Sequence, residues 1–239
     1  GVPLRTFLDR AGVDINQARR LRFFGDDGFA NNLTLARVFD AEDTIGPLLV
    51  THLNGEPLRP EHGAPVRLIV PEMYGFKNVK WLTRVEATAS DAAFGTYQDA
   101  GFDDDGVTRT VSRITRPLQA ATIGAGRVEA VGFAVSGFAP IERVELAVDG
   151  GAFMPVEIVS LEEISAAEPL VASALQVMEG RTFPFRSVWV KWRAVLDLAP
   201  GPHTLQLRAV DALGNEQPET DTTIADGINA WPRIQVEAV

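Results

Sequence analysis

The 239 residues contain no cysteine. Within this chain that excludes disulfides, thiol nucleophiles, cysteine-ligated zinc and iron–sulfur clusters. Histidine is nearly as scarce. His52, His62 and His203 are too far apart in sequence to suggest a histidine-built metal site. No apolar run reaches the ~18 residues that a membrane-crossing helix needs. Gly-x-x-x-x-Gly-Lys-Ser/Thr, Gly-x-Ser-x-Gly and His-Glu-x-x-His strings are all missing, so P-loop, hydrolase-elbow and zincin chemistry have no support. Positive charge is in the minority, with 22 Lys and Arg against 32 Asp and Glu and a net charge of −10. Such a chain repels nucleic acid and anionic membrane wherever its bases do not cluster.

What is present is an ordinary globular balance, 46% hydrophobic and 23% charged residues, which argues against a disordered chain. Gly1-Val2-Pro3 carries neither an initiator methionine nor a signal-peptide core, so the expectation is a processed or partial chain. Residues 3–11 read as a short amphipathic helix stopped at Gly12. Leu21 to Phe24 reads as a strand, with a turn at 25–28. A second short helix is expected from Leu33 to Phe39. Strands follow at 48–53 and 66–70, the first closed by Asn54-Gly55. Val79, Trp81 and Val85 would share one face of a further strand that carries Lys80 and Arg84 outward. This half has an α+β texture.

Residues 89–117 are rich in Ala, Gly, Asp, Ser and Thr and read as a long connection between domains. Beyond Pro117 the signals are almost all strands: 127–135, 141–148, 153–159, 187–198, 203–210 and 233–239. Leu205, Leu207 and Ala209 alternate with Thr204, Gln206 and Arg208, so one face is buried and the other wet. Short antiparallel strands in this density suggest an immunoglobulin-like sandwich. Residues 160–183, with Leu161, Leu170, Val171 and Leu175, stand out as a helical or irregular excursion.

The densest chemistry lies at 54–84. Arg59, Arg67, Lys77, Lys80 and Arg84 outnumber Glu56, Glu61 and Glu72 there, on a chain that is acidic as a whole. Lys and Arg supply charge-assisted bonds to phosphate oxygens, and Gly63 and Gly75 would let the backbone approach a ligand. The region is either an anion site or a solvated strand face. His52 reads as a packed or rim residue and His203 as a turn residue. Asp103-Asp104-Asp105 lacks the spacing of a calcium loop. Trp81, Trp189, Trp192 and Trp231 read as core or interface aromatics.

The ordered strings Asn54-Gly55-Glu56-Pro57-Leu58, His62-Gly63-x-Pro65-Val66-Arg67, Val70-Pro71, Tyr74-Gly75 and Val79-Lys80-Trp81-Leu82 resemble the molybdopterin-binding domain of the sulfite oxidase family. Val144-Glu145-x-x-x-Asp149-Gly150-Gly151, Trp192, Arg208-Ala209-x-Asp211-x-x-Gly214-x-x-Gln217-Pro218 and Asn229-Ala230-Trp231 resemble that family's dimerisation domain. The resemblance implies the C-terminal part of an α+β molybdopterin-binding domain with its connecting segment at 1–115, then an all-β immunoglobulin-like dimerisation domain at 116–239. It implies a molybdopterin cofactor held by Asp27, His62, Arg67, Asn78, Val79 and Lys80, with no metal ligand from this chain and no catalytic residue assigned. It also implies oxygen-atom transfer at molybdenum, a homodimer formed through the second domain, and an external electron acceptor such as a cytochrome. Nucleic acid and a membrane span are not expected. The compartment stays open, an extracytoplasmic one being frequent among bacterial members.

The chain departs from the family pattern at three places. The cysteine that ligates molybdenum in the family lies N-terminal to the Gly-Val-Pro-Leu string, so the chain is expected to start after it. Phe102 stands where sulfite-oxidising members carry a tyrosine, and Asp226 stands where they carry an arginine. Sulfite is therefore expected to be a poor substrate. Two other readings remain: a non-catalytic pterin-binding relative, and a β-sandwich binding or interaction protein.

Overall fold

Leu4 and Leu8, one helical turn apart, are both buried and begin the first core from the helix Leu4–Ala11, which ends at Gly12 with Arg10 in its last turn. The computed structural model describes residues 1–39, 45–168, 171 and 180–239. The chain divides into two compact units, residues 1–107 with 225–227, and residues 108–224 with 228–239. The domain boundary was expected at 115/116. The strand Val111–Arg116, however, pairs with Gly126–Val135 and belongs with the second unit.

In the first unit, Val2–Pro3, Leu48–Val50 and Arg67–Ile69 form one antiparallel sheet. A second sheet has the order Ala30–Thr34, Arg20–Gly25, Leu82–Thr88. His52–Leu53 and Glu56–Pro57 make a small hairpin around Asn54-Gly55. The core gathers Leu4, Leu8, Leu21, Phe23, Leu33, Val38, Leu68, Val70 and Val79. Each such side chain contributes about 1.5–3 kcal/mol of burial free energy. The helix expected from Leu33 starts only at Leu35, because Leu33 is a strand residue paired with Leu21. Residues 89–107 do not bridge domains as expected. Their rings and carboxylates fasten them to the first unit, with a short helix at Thr96–Asp99.

The second unit is a β-sandwich. One sheet has the order Ala121–Ile123, Arg233–Ala238, Gly201–Asp211, Ile141–Val148, Met154–Pro155, and the other Glu157–Ile158, Val190–Leu198, Gly126–Val135, Val111–Arg116. All pairings are antiparallel except Ala121–Ile123 with Arg233–Ala238. Trp192, Val190, Ala130 and Ala134 from one sheet meet Ile141, Val144, Leu146, Leu207 and Ala209 from the other. The strand expected over 153–159 is two short pieces that pair with different sheets, so the chain changes layer at Val156. In the expected excursion at 160–183, Ser160 caps the helix Leu161–Ala167 by accepting from the Glu163 amide. Leu170 and Leu175 lie outside the described residues. No helix among the described residues is long and apolar enough to cross a membrane.

Candidate functional site

The run from Lys77 to Trp81 makes no ladder of strand bonds. Each residue is tied to a different neighbour instead. Lys77 Nζ donates to the Asn32 carbonyl at 3.1 Å and to Asp104 Oδ1 at 3.3 Å. Asn78 Oδ1 accepts from the Val70 amide at 2.6 Å, and its Nδ2 donates to the Tyr74 carbonyl at 3.1 Å. Val79 is fully buried in the core, and its carbonyl accepts from the Leu68 amide at 2.8 Å. Lys80 Nζ donates to the Glu61 carbonyl at 2.9 Å. Trp81 Nε1 donates to the Pro60 carbonyl at 2.7 Å, while the Trp81 carbonyl accepts from the Asp26 amide at 2.9 Å. The expected strand face at Val79 and Trp81 is thus absent. Trp81 has φ 48°, which redirects the chain into the strand Leu82–Thr88.

Against this run lies the short 3-10 turn Pro60–His62, closed by Gly63 at φ 98°. A Cβ on Gly63 would fall 2.9 Å from Lys80 Cβ, so glycine serves both the backbone angle and the close approach. Arg67 spans the two segments. Its Nη1 donates to the His62 carbonyl at 3.1 Å and its Nη2 to the Asn78 carbonyl at 3.3 Å. Arg67 Nε is buried and has no partner. Burial lowers the pKa of this guanidinium, but arginine stays charged in proteins. The His62 side chain is exposed at the turn. Asp27 is exposed in the turn after Gly25, where its Oδ1 accepts from the Phe29 amide at 3.0 Å, next to the Asp26–Trp81 bond.

All six expected cofactor residues therefore fall on the run 77–81 or on segments bonded to it. Two of them do not present side chains for a ligand: Asn78 spends its amide on the loop, and Val79 is core. The wider set of bases splits. Lys77 is 1% exposed and paired, so it is no surface anion site. Arg84 lies over the Phe24 ring at 3.8 Å and 3.4 Å from Glu86. Lys80, in contrast, sits 4.4 Å from the centre of the Trp81 ring. Trp81, expected as a core or interface aromatic, is instead the platform for its neighbour's ammonium.

Behind the run, Asp104, from an acidic triplet without calcium-loop spacing, forms a charged node. It bonds Arg20, Asn32 Nδ2 at 2.8 Å and Lys77, and Arg20 also donates to Asn32 Oδ1 at 2.6 Å. Burial opposes ionisation of Asp104, but the Asn32 bond and the two cations outweigh it and hold its pKa below the usual range. Burial pushes the Lys77 ammonium pKa down, against the pull of Asp104. An aromatic group adjoins the node: Phe76 stacks on Tyr97 at 4.7 Å, and Phe102 meets Tyr97 edge-on at 4.9 Å.

Residues 1–95 match the oxidoreductase molybdopterin binding domain. The mitochondrial sulfite oxidase of Macaca fascicularis is 31% identical over 232 residues, covering 87% of this chain and 39% of that protein. The sulfite oxidase of Arabidopsis thaliana is 27% identical, covering 98% and 62%. The crystal structure of the sulfane dehydrogenase SoxCD from Paracoccus pantotrophus superposes with a TM-score of 0.76 at 25% identity, over 99% of this chain and 59% of that one. Over most of its length the chain is similar to the sulfite oxidase family of molybdenum oxidoreductases. It spans about two fifths of the length of the mammalian relatives, 39%.

The domain match and the sulfite oxidase relatives imply molybdopterin as the cofactor of the first unit. The residues present suit such a group. Arg67 offers an unpartnered buried donor, Lys80 and His62 add cationic or donor groups beside it, and Asp27 offers an acceptor for an amino group. A phosphate-bearing, hydrogen-bonding heterocycle needs this mixture.

Proposed function

We propose that the protein containing these residues is a molybdenum-dependent oxidoreductase whose first unit grips molybdopterin through Arg67, Lys80, His62 and Asp27, with Asn78 and Val79 holding the loop that presents them. When bound, the cofactor supplies two-electron oxygen-atom transfer; this chain binds and orients it. The observation that carries the reading is Arg67, which has both terminal nitrogens committed to main-chain carbonyls and Nε buried without a partner. A guanidinium held in this way is pre-organised for an anionic acceptor. Any thiolate on the metal has to come from outside these 239 residues, which include no cysteine.

Pterin content per chain in the purified full-length protein tests the reading. Arg67→Ala and Lys80→Ala should each lower it, since truncating one partner of a buried charge-assisted bond costs about 2–5 kcal/mol. Unchanged content in both variants would place the cofactor elsewhere.

Substrate and partners extend the proposal. Sulfite is a poor substrate in this reading, because Phe102 offers no hydroxyl and Asp226 carries negative charge; efficient sulfite-dependent reduction of an acceptor would contradict it. Electrons pass to an external carrier such as a cytochrome. The second unit pairs with another copy of itself. Support comes from the outer face of its four-stranded sheet, where Trp189 and Val195 are 53% and 54% exposed. Light scattering that returns a single chain mass at micromolar concentration would defeat the pair.

A further inference from the structure

We propose that Lys77 is a positioning residue for the cofactor segment, a buried strut that sets where Asn78, Val79 and Lys80 stand. The inference rests on the molybdopterin reading above. Lys77 closes the 3-10 turn Gly75–Lys77 and directly precedes the segment. Its ammonium is the only group of that turn tied by its side chain, among the described residues, to both Asn32 and Asp104. Asn32 is a strand residue and Asp104 comes from the 89–107 segment, so the ammonium joins three separate parts of the first unit.

The surroundings leave the ammonium little freedom. Gly106 packs on the lysine stem so closely that a Cβ there would lie 2.7 Å from Lys77 Cε. Asp104 is itself fixed by Arg20 and Asn32, so the anchor point is rigid. A lysine at 1% exposure is a costly choice where an apolar side chain would fill the same space. A charge kept there fixes a geometry rather than adding stability: removing both members of such a pair is often neutral, whereas removing one is not. What the pair fixes is the start of the cofactor run. Its next side chain locks the loop from Val70 to Tyr74, and Arg67 and Lys80 clasp the turn opposite.

The discriminating variant is the charge-balanced double substitution Lys77→Met with Asp104→Asn in the full-length, pterin-loaded protein. Melting temperature, pterin content and pterin release into filtrate are measured together, with Lys80→Ala alongside. Outer partners that orient a ligand set are typically worth about 10–100-fold in affinity. The expected result is about ten-fold faster pterin release, with the melting temperature lowered only modestly, because Arg20 loses the Asp104 charge but keeps Asn32 Oδ1. Parent-like release from the double variant overturns the role of Lys77 while Lys80→Ala still loses pterin. Parent-like pterin in Lys80→Ala overturns the site reading itself, and this inference with it. Should the double variant fail to fold, Lys77→Met alone decides, because Asp104 keeps Arg20 and Asn32 as partners: release should be faster, and an unchanged rate refutes the proposal.

Discussion

His203 is held between two acceptors: its Nδ1–H donates to Asp149 Oδ2 at 2.7 Å and its Nε2–H to the Ala199 carbonyl at 2.8 Å. A carbonyl and a carboxylate both accept, so the two bonds together favour the doubly protonated ring. The Ala199 bond and then Asp149 raise the histidine pKa above 6.5. The Thr204 amide, 2.7 Å from Asp149 Oδ1, and then His203 lower the Asp149 pKa.

The direction of the pH effect follows. A raised histidine pKa contributes stability that is fully present below the unfolded value and is lost as pH rises through the folded value. The lowered Asp149 pKa contributes stability that is present above its unfolded value and lost as pH falls through the folded one. This clasp should therefore be strongest between about pH 4 and pH 6.5. Thermal midpoints of the second unit should decline as pH climbs above 6.5, and His203→Gln should flatten that decline. Superimposable profiles for parent and variant from pH 5 to 9 would refute the assignment.

Asp211 is fully buried, yet its bonds come from neutral donors. Oδ1 accepts from the Leu213 and Asn215 amides, both at 3.0 Å, and Oδ2 from Ser136 at 2.8 Å and Thr110 at 3.3 Å. Asn215 Nδ2 reaches both oxygens. Asp211→Ala strands these donors together and should cost about 3–5 kcal/mol. Asp211→Asn can turn its amide toward the two hydroxyls, which also accept, and should cost about 1–3 kcal/mol. Urea denaturation that finds the alanine variant as stable as the asparagine variant would contradict this account.

The sandwich was legible because its signal is local. Leu205, Leu207 and Ala209 are buried, and the Asp149-Gly150-Gly151 turn follows the strand Ile141–Val148. What was misread depends on distant partners. Leu33 looked helical from its spacing, but its pairing with Leu21 makes it a strand residue. Lys77 and Arg84 looked like available bases. Their partners, Asp104 at 27 residues' distance and Phe24 on the neighbouring strand, are not written in the local pattern. Residues 54–84 nonetheless come together in space, since Arg67 and Lys80 clasp the turn that holds His62.

Gly132 supplies the sharpest packing test. It stands opposite Trp192 in the ladder between Gly126–Val135 and Val190–Leu198, at a register shift in the pairing with Val111–Arg116. Ala130 and Ala134 flank it on the same buried face. These small residues leave room for an indole that is 1% exposed. A Cβ on Gly132 would fall 1.9 Å from the Arg113 carbonyl oxygen and 2.7 Å from Trp192 Cζ2. The first obstacle is backbone and the second a ring wedged in the core, so neither can swing aside. Gly132→Ala must push the edge strand away or tilt Trp192, at about 2–4 kcal/mol. For a unit of this size that is roughly 10 °C in melting temperature. Gly124→Ala is the matched control, because a Cβ there meets nothing within 4 Å; it should stay within about 0.5 kcal/mol of the parent. Equal melting temperatures for the two variants would mean that the sandwich does not hold Trp192 against Gly132 as described.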